Sequence, residues 1–162
     1  MSIETDLQAI AEQEKTLVWY NFGAETAWQI GWRLRAEAIE RKAAMTFEIQ
    51  VAGRTLFLAA TEGAPAGQMD WLRRKRNVVM RFGKSSYAVG LELEKTGLTI
   101  EQRHGLTLTD YAMHGGGFPV ILRGTGVVGS VVSSGLQQRV DHGIVVDALA
   151  GVIGVEVEKL KA

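Results

Sequence analysis

Hydrophobic spacing in the first quarter of the chain predicts two helices with a short extended run between them. Residues 2–14 repeat apolar positions every three or four residues behind a potential N-cap, as one face of a helix does. Residues 16–20 are a short β-forming run, and residues 21–42 form a longer predicted helix with two apolar rows. One row consists of Ala27, Ile30, Leu34 and Ala38, and the other of Trp28, Trp32 and Ile39. Two rows are more than packing on one side requires, so the second row is a candidate contact with another subunit.

The rest of the chain mixes strand alternation with helical spacing. The predicted elements are a hairpin of strands 46–51 and 55–60, a helix over 67–82, a short helix over 87–94, a hairpin of strands 118–122 and 127–133, and a helix over 137–150. The alternation in residues 46–51 is that of a half-buried strand, with Phe47, Ile49 and Val51 on one side and Thr46, Glu48 and Gln50 on the other. Residues 98–113 show no sustained period and are predicted to be mostly loop. Hairpins that alternate with helices favour an α+β fold with helices on the faces of an antiparallel sheet.

Composition describes one domain with no overall attraction to polyanions. The 162 residues fit a single domain, residues 1–162, with one core. Eighteen Lys and Arg balance eighteen Asp and Glu, so we expect neither nucleic acid nor a membrane as a partner. The lack of cysteine excludes disulfides and thiolate sites and, with no apolar signal segment, favours a cytoplasmic protein. No apolar run reaches the about 20 residues that span a bilayer.

Glycine clusters in the C-terminal third, where two motifs are similar to catalytic or cofactor sites. Residues 124–129 match G-x-G-x-x-G, but residues 127–133 read as a strand instead of the helix that a dinucleotide fingerprint requires. His114-Gly115-Gly116-Gly117 is similar to an oxyanion-hole segment, yet no G-x-S-x-G elbow accompanies it. The sequence therefore disfavours a triad of Ser133, Asp141 and His142. A backbone-lined anion pocket at the glycines and a purely structural bend both remain open.

Histidines and a basic cluster are the other candidate chemistry. His104, His114 and His142 have no metal-ligand spacing, which favours structural or surface roles over a metal site, and no metal is predicted. The run Arg73-Arg74-Lys75-Arg76 beside Trp71 is typical of a solvated helix face. Because the net charge is zero, we expect it to form ion pairs within or between subunits in preference to binding nucleic acid.

The segment from His114 to His142 also resembles a known family. His114-Gly115-Gly116-Gly117-Phe118-Pro119-Val120, the glycine hairpin, and Val132-Ser133-Ser134-Gly135-Leu136-Gln137 leading to Asp141-His142 are similar to the haem-degrading-domain family of GlcG- and HbpS-like proteins, in its uncharacterised UPF branch. A looser likeness covers residues 12–149. The resemblance implies a three-layer α/β/α arrangement around a five-stranded antiparallel sheet, GlcG-like and profilin-like in layout, and assembly into homo-oligomers. It names haem as a candidate cofactor, with no haem ligand matched residue by residue.

Three functions remain open. The leading hypothesis is an oligomeric domain that binds a small ligand, an anionic compound or a tetrapyrrole, at the glycine-rich segment through freed amides of residues 115–117. The candidate ligand-binding residues are His114, Gly115, Gly116, Gly117, Ser133, Ser134, Gly135, Asp141 and His142. The second hypothesis is a non-enzymatic assembly or adaptor protein that acts through its oligomeric surface. The third, which the sequence favours less, is an enzyme with His142 and Asp141, or His114, as acid or base; in all three, Asp141 or His142 could instead cap backbone groups.

Overall fold

Six helices and four strands make up the structure, a computed structural model that describes residues 2–161. The helices are α1 (Ile3–Thr16), α2 (Ala24–Glu40), α3 (Gln68–Phe82), α4 (Ser86–Thr96), α5 (Ile100–His104) and α6 (Gln138–Ile153), and the strands are β1 (Thr46–Val51), β2 (Arg54–Ala60), β3 (Gly117–Leu122) and β4 (Gly126–Ser134). The predicted elements are confirmed to within a few residues. There are two exceptions: the run 16–20 forms no strand, and α5 begins behind a Thr99 capping box in the stretch predicted to be loop. No helix among residues 2–161 is long and apolar enough to cross a membrane.

The sheet contains four antiparallel strands in the order β2-β1-β4-β3, so the expectation of five strands is wrong. The missing strand is the run 16–20, which forms one isolated parallel bridge between Trp19 and Leu122. The Trp19 N–H donates to the Ile121 carbonyl at 2.9 Å, and the Trp19 carbonyl accepts a backbone N–H at 2.8 Å. Helix α1 continues to Thr16, which leaves too little extended chain for a longer ladder.

Helices α2 and α6 cover one face of the sheet with an apolar core. Phe47 and Ile49 of β1 and Val131 of β4 point to this side and have no exposed surface. The inner row of α2, which is Ala27, Ile30, Leu34 and Ala38, is likewise fully buried. The outer row stays in solvent, with Trp28 58% and Trp32 61% exposed. Burial of this side follows the hydrophobic pattern, and it supplies most of the apolar stabilisation.

Helix α3 covers the opposite face through polar contacts. Alternation along β1 turns Thr46 and Glu48 to this side. The Thr46 hydroxyl donates to Gln68 Oε1 at 2.8 Å, and Glu48 pairs with Arg76. A second apolar cluster joins α3 to α4 and α5 through Val78, Val89, Leu93 and Ile100. The α/β/α layers thus enclose what we call the polar layer, made of Thr46, Glu48, Gln68 and Arg76.

Candidate functional site

A cleft of about 390 Å³ opens between the start of α3, the glycine-rich segment and the turn before α6. We call it the Lys75 cleft. Its main side chains are Gln68, Trp71, Lys75, His114, Gln138 and Asp141, and Ser134 and Gly135 also line it. Ligand pockets in proteins span roughly 300–1,000 Å³. The cleft therefore has the volume that a small molecule needs.

Lys75 is the charged group at the floor of the cleft. Its side chain is 3% exposed, and Nζ donates to the Ser133 carbonyl at 2.9 Å and to Asp141 Oδ2 at 3.2 Å. Burial lowers the pKa of Lys75, although the nearby Asp141 carboxylate acts in the opposite direction. An ammonium has three N–H donors, and two are used within residues 2–161. The third donor has no hydrogen-bond partner within residues 2–161.

Asp141 holds the turn that closes the cleft. One carboxylate oxygen accepts the Leu136 N–H at 3.0 Å, while the other accepts from Lys75. Burial raises the pKa of Asp141, while the Lys75 charge and backbone donors of Gly135 and Leu136 oppose this rise. The Asp141 carbonyl also accepts the Ser133 hydroxyl at 3.1 Å. The backbone-capping alternative for Asp141 is therefore confirmed, and its carboxylate is committed to structure.

His114 and Trp71 form the rim of the cleft. Their rings meet edge to face with centroids 5.3 Å apart, and the Arg74 guanidinium lies 4.7 Å from the Trp71 ring centroid. Partial burial, Lys75 and Arg74 all lower the pKa of His114. No hydrogen bond to the His114 ring forms within residues 2–161. Near pH 7 the site therefore presents a neutral, exposed imidazole whose two nitrogens are open to a ligand.

The glycine-rich segment uses two of its three amides, those of Gly115 and Gly117, internally. The Gly115 N–H donates to Gln138 Oε1 at 3.3 Å, and the Gly117 N–H donates to the Ser86 hydroxyl at 2.9 Å. The expectation that the amides of residues 115–117 are freed for a ligand is therefore wrong for Gly115 and Gly117. For Gly117 the reason is that β3 begins at this residue next to the start of α4, where the Ser86 hydroxyl accepts its N–H.

Close packing explains why glycine occupies this segment. Gly116 has φ +127°, and a Cβ there would lie 2.9 Å from Lys75 Nζ and overlap the Ser133 carbonyl. The Gly116 carbonyl in turn accepts the Ser133 N–H at 2.9 Å. Because they have no Cβ, the glycines can pack directly against Lys75. They lie behind the lining of the cleft and support Lys75 there.

His142 does not reach the Lys75 cleft. Its side chain is 1% exposed between the rings of Tyr87 and Phe118, with centroids 5.5 and 6.0 Å away. Nε2 lies 2.8 Å from Gln13 Oε1, and Gln13 Nε2 donates to the Glu158 carbonyl, so Nε2 carries the proton. Burial and a nearby arginine lower the pKa of His142 to about 3. A neutral imidazole enclosed by aromatic rings is unsuited to acid–base work on a ligand.

The structure brings most of the sequence-predicted site together and adds residues that the sequence analysis missed. His114, Ser134, Gly135 and Asp141 line the cleft, the segment 115–117 and Ser133 lie behind it, and His142 is on another side of α6. The missed residues are Gln68, Trp71, Lys75 and Gln138. Lys75 had a detectable signal, because it shares the buried row of α3 with Leu72 and Val79 at spacings of three and four.

The basic cluster of α3 is engaged within the chain. Arg73 pairs with Asp70 and Asp110, Arg74 Nε donates to the Leu108 carbonyl, Lys75 pairs with Asp141, and Arg76 pairs with Glu48. The expected ion pairing is confirmed for Arg73, Lys75 and Arg76, whereas the interpretation as a solvated face is wrong for Lys75. Within residues 2–161 no three His, Asp or Glu side chains form a group that could hold a metal ion. The segment 124–129 is the β3–β4 turn and the start of β4, as predicted.

Comparison with known proteins identifies the family. Residues 22–150 match the family described as haem degrading protein HbpS-like. A UPF0303 protein of Azotobacter vinelandii is 51% identical over 160 residues, which cover 99% of this chain and 96% of that protein. The crystal structure of the Ybr137w protein is 25% identical, with a TM-score of 0.86 over 94% of this chain and 92% of the other. That of a PduOC:heme complex, 14% identical over 85% of this chain and 99% of the other, shares the fold with a TM-score of 0.68. The chain therefore belongs to the HbpS-like family, and its UPF0303 relatives match it over almost their whole length.

Proposed function

We propose that the chain binds a small anionic molecule in the Lys75 cleft. The observation that carries this proposal is the buried Lys75 ammonium, which keeps one N–H unused at the floor of a cleft with an aromatic wall. Asp141 offsets the Lys75 charge, but Arg74 adds a second cation beside Trp71. Helix α6 also begins at the cleft, and its N-cap Gln137 makes no side-chain cap, so the helix dipole favours negative charge there.

Among anions, a haem-type tetrapyrrole fits the donors at the rim. The family description and the heme complex of a protein with this fold support this choice. His114 would face the iron, because its imidazole is neutral, exposed and without an internal hydrogen bond. Trp71 would stack on the macrocycle, and Arg74 would pair with a carboxylate. Bound haem would supply iron for redox or oxygen chemistry, whereas these side chains bind and orient it.

Two titrations of the protein test the proposal. Haem should give a saturable Soret shift that H114A removes and H104A leaves intact, since His104 is an exposed histidine that packs on Phe82 instead. Phosphate and citrate should produce saturable shifts of the Gly135 and Gln138 amide resonances. A response to the anions without a Soret shift refutes the tetrapyrrole and retains the anion site. If neither titration saturates, the proposed function is wrong.

Self-assembly is a second function that a specific observation favours. Trp28 and Trp32 expose most of their indole surface on the outer side of α2, which a chain acting alone would not need. We propose that the protein forms a homo-oligomer through this face. Light scattering should give a multiple of the 17.7 kDa chain mass, and a mass of one chain at high concentration refutes self-assembly.

We also propose a cytoplasmic location for the protein. The chain has no cysteine, so it gains nothing from an oxidising compartment. Fractionation of cells that express the natural gene should place it with cytoplasmic markers, and recovery with membranes or the medium would contradict this location.

A further inference from the structure

The outer face of α2 carries a continuous stripe of exposed residues. Consecutive members are separated by three and four positions in alternation: Glu25, Trp28, Trp32, Arg35 and Ile39 lie on α2, and Lys42 lies in the turn just past the helix end, with φ +54°. Every member is exposed, including Trp28 at 58%, Trp32 at 61% and Ile39 at 50%. We call this set the outer stripe. Alternating spacings of three and four are the pattern of a helix seam that packs on another helix.

One indole of the outer stripe is held in place. The Trp28 ring packs edge to face on Phe57 of β2, with centroids 5.9 Å apart. Each indole exposes on the order of 100 Å². Scattered exposed apolar residues are ordinary on a protein surface, but Trp28 and Trp32 lie one turn apart and Ile39 continues the same seam beyond Arg35. A partly immobilised aromatic patch loses little side-chain entropy when it binds another surface.

The charges of the outer stripe are sorted along its length. Glu25 lies in the first turn of α2, Arg35 beyond the middle, and Lys42 two residues past the helix end. None of the three makes an ion pair within residues 2–161. The two ends of the stripe are therefore complementary to each other, and neither is neutralised by its own chain.

We infer that α2 packs antiparallel against α2 of a second copy of this chain, through the outer stripe. In this arrangement Glu25 meets the partner's Lys42, Trp28 meets the partner's Ile39, and Trp32 stacks on the partner's Arg35. The contact is isologous, so each pair occurs twice about a two-fold axis. The inference rests on the proposed self-association and adds its geometry.

Parallel packing of the same helices is disfavoured by the same residues. It would place Glu25 opposite the partner's Glu25 and Lys42 opposite the partner's Lys42, which are like charges. It would also lose the pairing of indole with guanidinium at the centre. Only the antiparallel orientation satisfies every position of the stripe.

Mass measurements on variants test whether the outer stripe is the interface. W32E should weaken dimerisation at least about thirtyfold, the effect of losing a central hot spot. L108E, at an equally exposed leucine outside α2, should leave the dissociation constant within about twofold of wild type. Circular dichroism checks that both variants fold. A wild-type chain that is monomeric refutes self-association altogether, whereas an oligomer that W32E does not weaken refutes only this interface.

Cross-linking tests the orientation, because the natural chain has no cysteine. E25C and K42C chains, mixed under mild oxidation, should form a disulfide between unlike chains, and E25C alone should not. Charge reversal gives a second measure: E25K and K42E should each weaken self-association about tenfold, and mixing them should restore it. Cross-linking of E25C with itself, or no recovery in the mixture, would overturn the antiparallel arrangement.

Discussion

Lys75 and Asp141 form an ion pair that is almost entirely withdrawn from water, so removing one partner should destabilise the protein more than removing both. In K75M the Asp141 carboxylate remains 2% exposed and keeps only backbone donors of its turn. In D141N the ammonium remains 3% exposed, with the Ser133 carbonyl as its acceptor. Breaking a buried ion pair costs about 3–5 kcal/mol, so each single variant should lower the free energy of unfolding by that amount.

The double variant removes both charges and keeps the shape. Methionine fills the volume of the Lys75 stem. Asparagine keeps a side-chain oxygen that can accept the Leu136 N–H, which lies 3.0 Å from Asp141 Oδ1 in the wild-type chain. We expect K75M/D141N to cost about 1–2 kcal/mol, far less than the sum of the single variants. The coupling energy between the two positions should therefore exceed about 4 kcal/mol in this cycle.

Urea unfolding followed by circular dichroism, at pH 7 and one fixed protein concentration, measures all four proteins of the cycle. K84M serves as the control, because Lys84 pairs with Glu92 at 2.8 Å on the surface and should lose under about 1 kcal/mol. If K75M costs no more than K84M, or if the double variant costs the sum of the single variants, Lys75 is not the buried charge described above.

Two further perturbations address the glycine segment and the buried histidine. G116A should lower the free energy of unfolding by about 3 kcal/mol, because position 116 has φ +127° and the added Cβ would overlap the Ser133 carbonyl. G124A is the control: position 124 has φ +76° but open space around it, so this variant should cost about 1 kcal/mol. Equal urea midpoints for the two variants would contradict close packing. The pKa of His142 in the folded chain, about 3, lies below its ordinary value of 6.5, so its contribution to stability is complete above pH 6.5 and is lost as the pH falls toward 3. Urea midpoints from pH 7 to 4 should fall less steeply in H142Q than in wild type, and identical slopes would show that His142 is not the group responsible.

Periodicity predicted the buried faces well where one apolar row meets one core. In β1 it correctly assigned Phe47 and Ile49 to the core. It also predicted a half-buried strand, yet Thr46 and Glu48 on the polar side are only 3% and 6% exposed. Hydrophobic alternation identifies the polar face of a strand but does not show whether another element covers it. Here the cover comes from Gln68 and Arg76 of α3, which are distant from β1 in sequence.

The candidate site shows the same limit at the level of single residues. Asp141 and His142 are neighbours in sequence, but consecutive helix residues point about 100° apart, so only Asp141 reaches the cleft. Lys75 is one of four consecutive cations, and the charge pattern alone treats the run as one. Its spacing from Leu72 and Val79 nevertheless places Lys75, unlike the arginines, on the buried row of α3. The family resemblance pointed to residues 114–142, and His114, Ser134, Gly135 and Asp141 of that segment line the cleft. No comparable sequence signal exists for Gln68 and Trp71 of α3, because only the tertiary structure brings them next to these residues.

The polar layer between α3 and the sheet also bears on how the molecule opens. Apolar packing tolerates small slides, but the hydrogen bond of Thr46 with Gln68 and the ion pair of Glu48 with Arg76 are directional and fail together if α3 moves by one residue. Helices α3, α4 and α5 share their own apolar cluster, so they should detach as one cooperative unit while α2, α6 and the sheet remain folded. The Lys75 cleft is built from both units. A bound molecule therefore acts as a clamp between them, and tighter binding should slow hydrogen exchange at the amides of α3 in the same proportion.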